Sequence, residues 1–395
     1  MIRVAYGIRP HLGGTWSVFE TLRPALAAEG VDLRWVAVGP SANRPDCGAE
    51  CGEWIEVADP SRPQAGEALV AHLCASYNAV IANILAERWF LAALRHLPPR
   101  PAVIGLVHST SHGTYRAARA VAPWLDALVC PSRRMEEDLR SLLRGFAGAW
   151  HRVPHGVADE FLRVPRDAPA DGARLRLLFA GRLEDASKRV LLLPAVLQRL
   201  ADLGIAHTLT IAGDGPDRAR LEELLPPGAA RFLGRVPRAE MPALLARHDI
   251  LLMPSRWEGF PMGLLEAMAA GCVPVCALLK GVTDDLVDQG VEGLLPAEGS
   301  PAAYAEAVAE LADRKRLAAM SQACRVRAAR YTAARQAVWL AAAIRAAAAD
   351  RRRRGPLPLR DWALPPGLAD HPVTGLLPQA AKDLLRAWRE RMRRG

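Results

Sequence analysis

Short runs of β-branched and apolar residues alternate with longer helical patterns along most of the chain, and this alternation constrains the fold more than any other feature. It is the pattern of βα units around a parallel sheet. In the first half, strands are predicted at 3–6, 33–38, 80–83, 103–108, 128–131 and 152–154, with helical patterns such as 18–29 and 136–143 between them. Residues 164–171, with two prolines, two aspartates and little apolar content, read as a linker. The alternation then restarts, with strands predicted at 175–180, 208–212, 231–233, 250–253, 273–276 and 293–295. Two successive Rossmann-like halves are the natural architecture. Helices follow at 301–312, 315–330 and 332–349.

At 395 residues the chain is too long for one ordinary core and comfortable for two. The expected division is 1–165, 166–330, a helix at 331–350 and a tail at 351–395. Apolar residues make up 51% and charged residues 24%, a globular composition. The segment nearest to a membrane span, 336–349, is short and contains Arg345. No secretory apolar region precedes Arg9 and Pro10, so a cytoplasmic protein is expected. Seven cysteines include the pairs Cys47/Cys51 and Cys272/Cys276, which lack the further ligands of a tetrahedral metal site and read as reduced thiols. Of the net charge of +9, residues 351–395 hold +7, with ten Arg and one Lys against four acids. The nearly neutral remainder gives no reason to expect nucleic acid.

Three stretches can carry chemistry. In "FAGRLEDASK", Arg182 and Lys188 follow a strand end and would face the ligand crevice of a parallel sheet, where a forked guanidinium and an ammonium suit a diphosphate; solvated surface cations are the plain alternative. The paired Gly13 and Gly14 before the first helix let backbone N–H groups approach an anion, or form an ordinary tight turn. In "RWEGFPMGLLEAMAAG", a loop bearing Glu258 leads into a helix bearing Glu266, whose N-terminus adds partial positive charge to the same crevice. Carboxylates there can accept hydrogen bonds from sugar or ribose hydroxyls; a dipole-complementing Glu266 and a solvated Glu258 are the alternatives.

The order of these stretches resembles family 4 glycosyltransferases, retaining enzymes of the GT-B fold with an E-x7-E signature, here Glu258 and Glu266. "AGRLEDASKR", "GGTW", "IAGDGPDRARLEEL", "RFLGRVPRAEMPALLARHDILLMPS" and "PHGV" are similar to the intervening motifs, and the likeness covers roughly residues 1–345. The resemblance implies an α/β protein of two Rossmann-like, doubly wound domains facing each other across a cleft. Residues 331–350 would then cross back to the first domain. It implies transfer of a sugar from a nucleotide sugar, UDP- or GDP-linked, to an acceptor hydroxyl, with retention of configuration and without a metal or other cofactor. Carried over, Arg182 and Lys188 bind the diphosphate, with the Gly13 and Gly14 backbone assisting. Glu258 holds sugar hydroxyls, the backbone of Met262, Gly263 and Leu264 faces sugar and phosphates, Glu266 takes the ribose hydroxyls and Val236 lies against the base. His108 stands near the reacting centre.

Two positions depart from the family pattern: Trp16, where an acidic residue is common, and Arg189, where glycine is common. A nucleotide-sugar epimerase or hydrolase, or a non-catalytic binder, would use the same donor residues. The acceptor class, whether glycan, lipid-linked or small molecule, is left open. The end of the tail, 379–394, places Ala381, Leu384, Leu385, Trp388 and Met392 on one helical face among basic residues. That pattern fits peripheral contact with an anionic membrane, or a helix packed on the protein.

Overall fold

The computed structural model describes residues 1–10, 14–46, 48–84, 87–166, 174–297, 299–350 and 355–368. The chain forms two compact units, one of residues 1–156 with 333–395 and one of residues 157–332. In the first unit, seven strands form a sheet in the order β3-β2-β1-β4-β5-β6-β7. They are β1 (Ile2–Gly7), β2 (Val31–Gly39), β3 (Gly52–Glu56), β4 (Ala79–Asn83), β5 (Ala102–Leu106), β6 (Ala127–Cys130) and β7 (Ala149–Arg152), every neighbouring pair parallel. In β5, Val103 faces one core while Ala102, Ile104 and Leu106 face the other, because successive side chains alternate between the two covered faces. Burial on both faces is why the inner strands β4, β5 and β6 read as continuous apolar runs.

The second unit holds β8 (Leu175–Ala180), β9 (His207–Ala212), β10 (Ala230–Gly234), β11 (Ile250–Met253) and β12 (Val273–Cys276), all parallel, in the order β10-β9-β8-β11-β12. Its main core is a cluster around Leu177, Leu178, Ile211, Leu252 and Leu265.

The structure departs from the predicted elements in four places. The strand β3 was not anticipated; as an edge strand with acids at Glu53 and Glu56 it has no apolar run to announce it. The last strand of the first sheet is Ala149–Arg152, not 152–154, since Pro154 has no N–H for a ladder. Residues 293–295 form no strand, only an isolated bridge between Leu294 and Val275. The boundary between units falls at Gly156/Val157, ahead of the predicted linker, of which residues 167–171 lie outside the described residues. Phe161 is fully buried in the second core, and Arg325 donates to the carbonyls of Leu162 and Val164, which ties this stretch to the second unit.

The helix Ala333–Ala349 belongs to the first unit, burying Ala337, Leu340, Ala341, Ile344 and Ala347 in one of its cores. Residues 355–368 pack on the first unit's other core, which takes in Trp362 and Leu368. The Trp362 indole N–H donates to the Pro60 carbonyl, the His96 ring bonds the Leu357 carbonyl at 2.9 Å, and Trp362 is 8% exposed. Residues 379–394, the basis of the expected membrane contact, lie outside the described residues. Among the described residues, no helix is long and apolar enough to cross a membrane.

This strap depends on Gly66 in the helix Pro63–Ser76: a Cβ there would lie 2.5 Å from the Trp362 ring. Gly66→Ala is expected to displace the indole and cost about 1–3 kcal/mol, as overpacking does. A lower urea midpoint together with faster protease cleavage within 355–368 is the expected readout; an unchanged midpoint and cleavage rate would refute the packing role.

Candidate active site

In the second unit the chain proceeds from β8 outward through β9 and β10, then returns to the other side of β8 with β11. The loops after β8 and β11 therefore diverge, and a crevice opens beyond their carboxyl ends. The loop after β8 carries Arg182 and, in a short helix Asp185–Lys188, Lys188. The loop after β11 carries Glu258 and leads into the helix Met262–Ala269. Across this crevice the Lys188 ammonium donates to Glu258 Oε1 at 2.5 Å.

Several contacts hold that geometry. Gly213 after β9 packs so closely that a Cβ would stand 1.8 Å from the Gly181 carbonyl oxygen, a contact only glycine permits. The Leu183 N–H donates to the Asp214 carbonyl, and the Asp185 N–H donates to the Asp217 carboxylate at 2.7 Å. On the other side the Arg256 N–H donates to the Ser187 carbonyl, with its guanidinium 3.6 Å from Asp185. Arg189 adopts φ 50° and ψ 44°, the left-handed conformation that favours glycine, so this departure from the family pattern sits at a turn.

At the start of the helix Met262–Ala269, the Leu264 N–H is taken by the Pro261 carbonyl. The donors its first turn can still offer are those of Met262 and Gly263. Gly263 is exposed, and a Cβ built on it would meet nothing within 4 Å. One turn on, Glu266 is 8% exposed and accepts from Arg238 Nη1 at 3.1 Å. Burial raises its pKa, Arg238 lowers it, and the charge of Glu160 raises it further. Val236, half-buried after β10, packs on the core two residues before Arg238. Arg182 is the least anchored, its side chain 67% exposed and 3.5 Å from Glu184.

In the first unit the sheet order reverses between β1 and β4. Gly14 opens the helix Gly14–Ala28, whereas Gly13 lies outside the described residues. Trp16 stacks on Phe19 with ring centroids 4.8 Å apart, so the second departure is a packing residue here. His108, just after β5, bonds Tyr6 Oη at 3.0 Å through Nε2 and His155 Nε2 at 3.2 Å through Nδ1. The protons along this chain can be assigned from one end. The Gly156 N–H donates to Gln336 Oε1, so the Gln336 amide donates to His155 Nδ1. His155 then donates to His108, and His108 to Tyr6. Burial lowers the His108 pKa to about 4 and that of His155 well below its usual value, so both rings are neutral near pH 7. Both His108 nitrogens are thus engaged within the protein.

A family model described as "Glycosyl transferases group 1" matches residues 174–314, which span the crevice of the second unit. The glycogen synthase of Mycobacterium tuberculosis is 29% identical over 412 residues, spanning 90% of this chain and 96% of that protein. The 2-deoxystreptamine glucosyltransferase of Streptomyces kanamyceticus is 35% identical over 214 residues, spanning 49% of this chain and 54% of that protein. Among solved structures, Anabaena HepE in complex with UDP and glucose superposes with a TM-score of 0.66 at 15% identity, covering 87% of this chain and 99% of that one. Two parallel Rossmann-like sheets and this likeness decide the architecture. The fold is GT-B.

Within the GT-B second unit, Lys188, Glu258, Met262, Gly263 and Leu264 gather around the β8/β11 crevice, and Glu266 and Val236 lie toward β10. His108 and Gly14 belong to the first unit. Sequence reasoning missed Arg238 and Arg256, which lie within the quoted stretches but were given no role there. It also missed Arg9 and Glu87, which pair at 3.4 Å from the loops after β1 and β4. Among the described residues, no three His, Cys, Asp or Glu side chains converge as metal ligands.

Proposed function

We propose that the protein is a glycosyltransferase that moves a sugar from a nucleotide-sugar donor to an acceptor hydroxyl, with retention of configuration and without a metal. The observation that carries this reading is the Lys188–Glu258 pair across the β8/β11 crevice, beside the start of the helix Met262–Ala269. The relatives, named for glucosyl transfer and glycogen synthesis, support the reaction class.

An ammonium, a guanidinium and a helix N-terminus beside one crevice suit a departing diphosphate, whose negative charge grows as the glycosidic bond breaks. Lys188 has three N–H donors, so its bond to Glu258 leaves two for phosphate oxygens. Glu258, held by Lys188, is the carboxylate that accepts hydrogen bonds from sugar hydroxyls. Same-face attack by the acceptor, assisted by the leaving phosphate, then needs no enzymic nucleophile, and Glu258 acts by positioning. Glu266 receives the ribose hydroxyls, and a UDP- or GDP-linked donor is the expected ligand.

Binding of a nucleotide sugar to the native state alone raises stability, by about 2.7 kcal/mol at a hundredfold excess over Kd. A thermal-shift screen with UDP, GDP and ADP sugars is therefore expected to give a rise of several degrees with one nucleotide. Gly263→Ala provides the control. The open space at its Cβ and the helix propensity of alanine predict an unliganded Tm equal to or above that of the parent. The ligand-induced rise should shrink, because the methyl group occupies space in front of the helix start. Failure of every nucleotide sugar to shift the parent, or an undiminished shift in the variant, would refute this site.

A further inference from the structure

A carboxylate as buried as Glu266 is stable only when paired, and the structure pairs it with Arg238 at 3.1 Å. Arg238 stands in the turn after β10, 28 residues earlier in the chain than Glu266. Its guanidinium also lies over the Phe161 ring, 5.6 Å from the centroid. Phe161 is itself fully buried in the second core, so the guanidinium rests on a fixed platform. A planar cation that lies over an aromatic face and bonds a carboxylate through one of its nitrogens has little freedom to turn.

From this arrangement we infer that Arg238 is a positioning residue for donor recognition: held on Phe161, it fixes the orientation of the Glu266 carboxylate that takes the ribose hydroxyls. The inference rests on the reading of Glu266 as the ribose acceptor. Arg238 occupies Oε1, and a carboxylate offers about four lone-pair sites in all, enough for a guanidinium and two hydroxyls. Two charged groups act on Glu266. Arg238 favours its ionised form, while Glu160 on the helix Asp159–Arg163 opposes it, as burial does. Removing Arg238 leaves both opposing influences. The carboxyl then takes a proton at a higher pH, and its protonated form accepts the ribose hydroxyls poorly.

The test compares affinity for UDP, GDP and ADP with affinity for their 2′,3′-dideoxy analogues by titration calorimetry, from pH 5 to pH 8. The proteins are the parent, Arg238→Met, Arg238→Lys and Glu266→Gln. The parent should prefer a ribonucleotide, and Glu266→Gln should lose that preference. Arg238→Met, whose side chain can still pack on Phe161, should lose about tenfold of the preference, as expected for a charge-assisted hydrogen bond. Its remaining preference should fade at a higher pH than in the parent, and Arg238→Lys should restore part of both. Full ribose preference in Arg238→Met with the parent's pH profile would overturn the role of Arg238 and leave that of Glu266 standing. Unchanged preference in Glu266→Gln, or no nucleotide binding by the parent, would overturn the ribose reading itself and this role with it. Should Arg238→Met not fold, Arg238→Lys carries the same comparison.

Discussion

Lys188→Ala is expected to lower turnover about 10²- to 10³-fold, the usual loss when a donor aimed at developing transition-state charge is removed. Two consequences act together. The leaving diphosphate loses its point charge, and Glu258, whose side chain is only 12% exposed, loses the ammonium 2.5 Å away. A carboxylate left without that partner beside an anionic donor repels the ligand it should position. Glu258→Gln removes the repulsion, so the Lys188→Ala/Glu258→Gln double variant should lose less than the product of the single losses. Lys188→Arg keeps the charge but replaces a compact ammonium with a planar fork, and should recover only part of the rate. Steady-state kinetics with the donor identified by thermal shift would decide the matter. Turnover within a fewfold of the parent in Lys188→Ala would remove Lys188 from the mechanism.

How much of this site was legible in the sequence depends on how local each feature is. Lys188 and Glu258 could be marked because each sits within a few residues of a strand end whose apolar run is itself a strong signal. Their pairing could not, since it arises only when the sheet order sets β8 beside β11. The same holds more strongly for the Tyr6, His108, His155 and Gln336 chain, whose members come from four distant segments. Arg238 reads as one arginine among many until the fold brings its guanidinium over Phe161 and within hydrogen-bond reach of Glu266.

The fold shows a similar division. Doubly covered strands announce themselves as apolar runs, whereas the edge strand β3 is hidden by its acids. The strap at 355–368 was hidden differently. Pro356, Pro358, Pro365 and Pro366 disfavour a long helix, and residues 355–368 contain only a 3₁₀ turn at Leu359–Asp361. Proline does not prevent an extended segment from burying one indole, and Trp362 finds its place through Gly66, a residue with no sequence signature of its own.

Asp249→Ala is expected to cost about 3–5 kcal/mol of stability while leaving nucleotide binding by the folded protein unchanged. Asp249 is 0% exposed and immediately precedes β11, so it stands at the end of that strand opposite Glu258. Its Oδ2 accepts from the Arg176 N–H at 2.9 Å and its Oδ1 from Arg176 Nη2 at 2.8 Å. The guanidinium groups of Arg166 and Arg314 lie 3.7 and 3.6 Å away. Removing the carboxylate leaves three arginines facing one another around a site with little water to screen them. Asp249→Asn keeps an acceptor for the Arg176 N–H but not the charge, and should fall between the parent and Asp249→Ala. Burial pushes the Asp249 pKa up, but the hydrogen bonds and charge of Arg176 outweigh it, and the net shift is downward. The stabilisation is therefore fully present above the unfolded value of about 3.9 and is lost as pH falls through the lower folded value. Urea unfolding should accordingly show a difference between parent and variant that is constant near neutral pH and narrows only in the acid limb. A loss under ~1 kcal/mol at pH 7, or a difference that grows on acidification, would show that the arginines do not depend on Asp249.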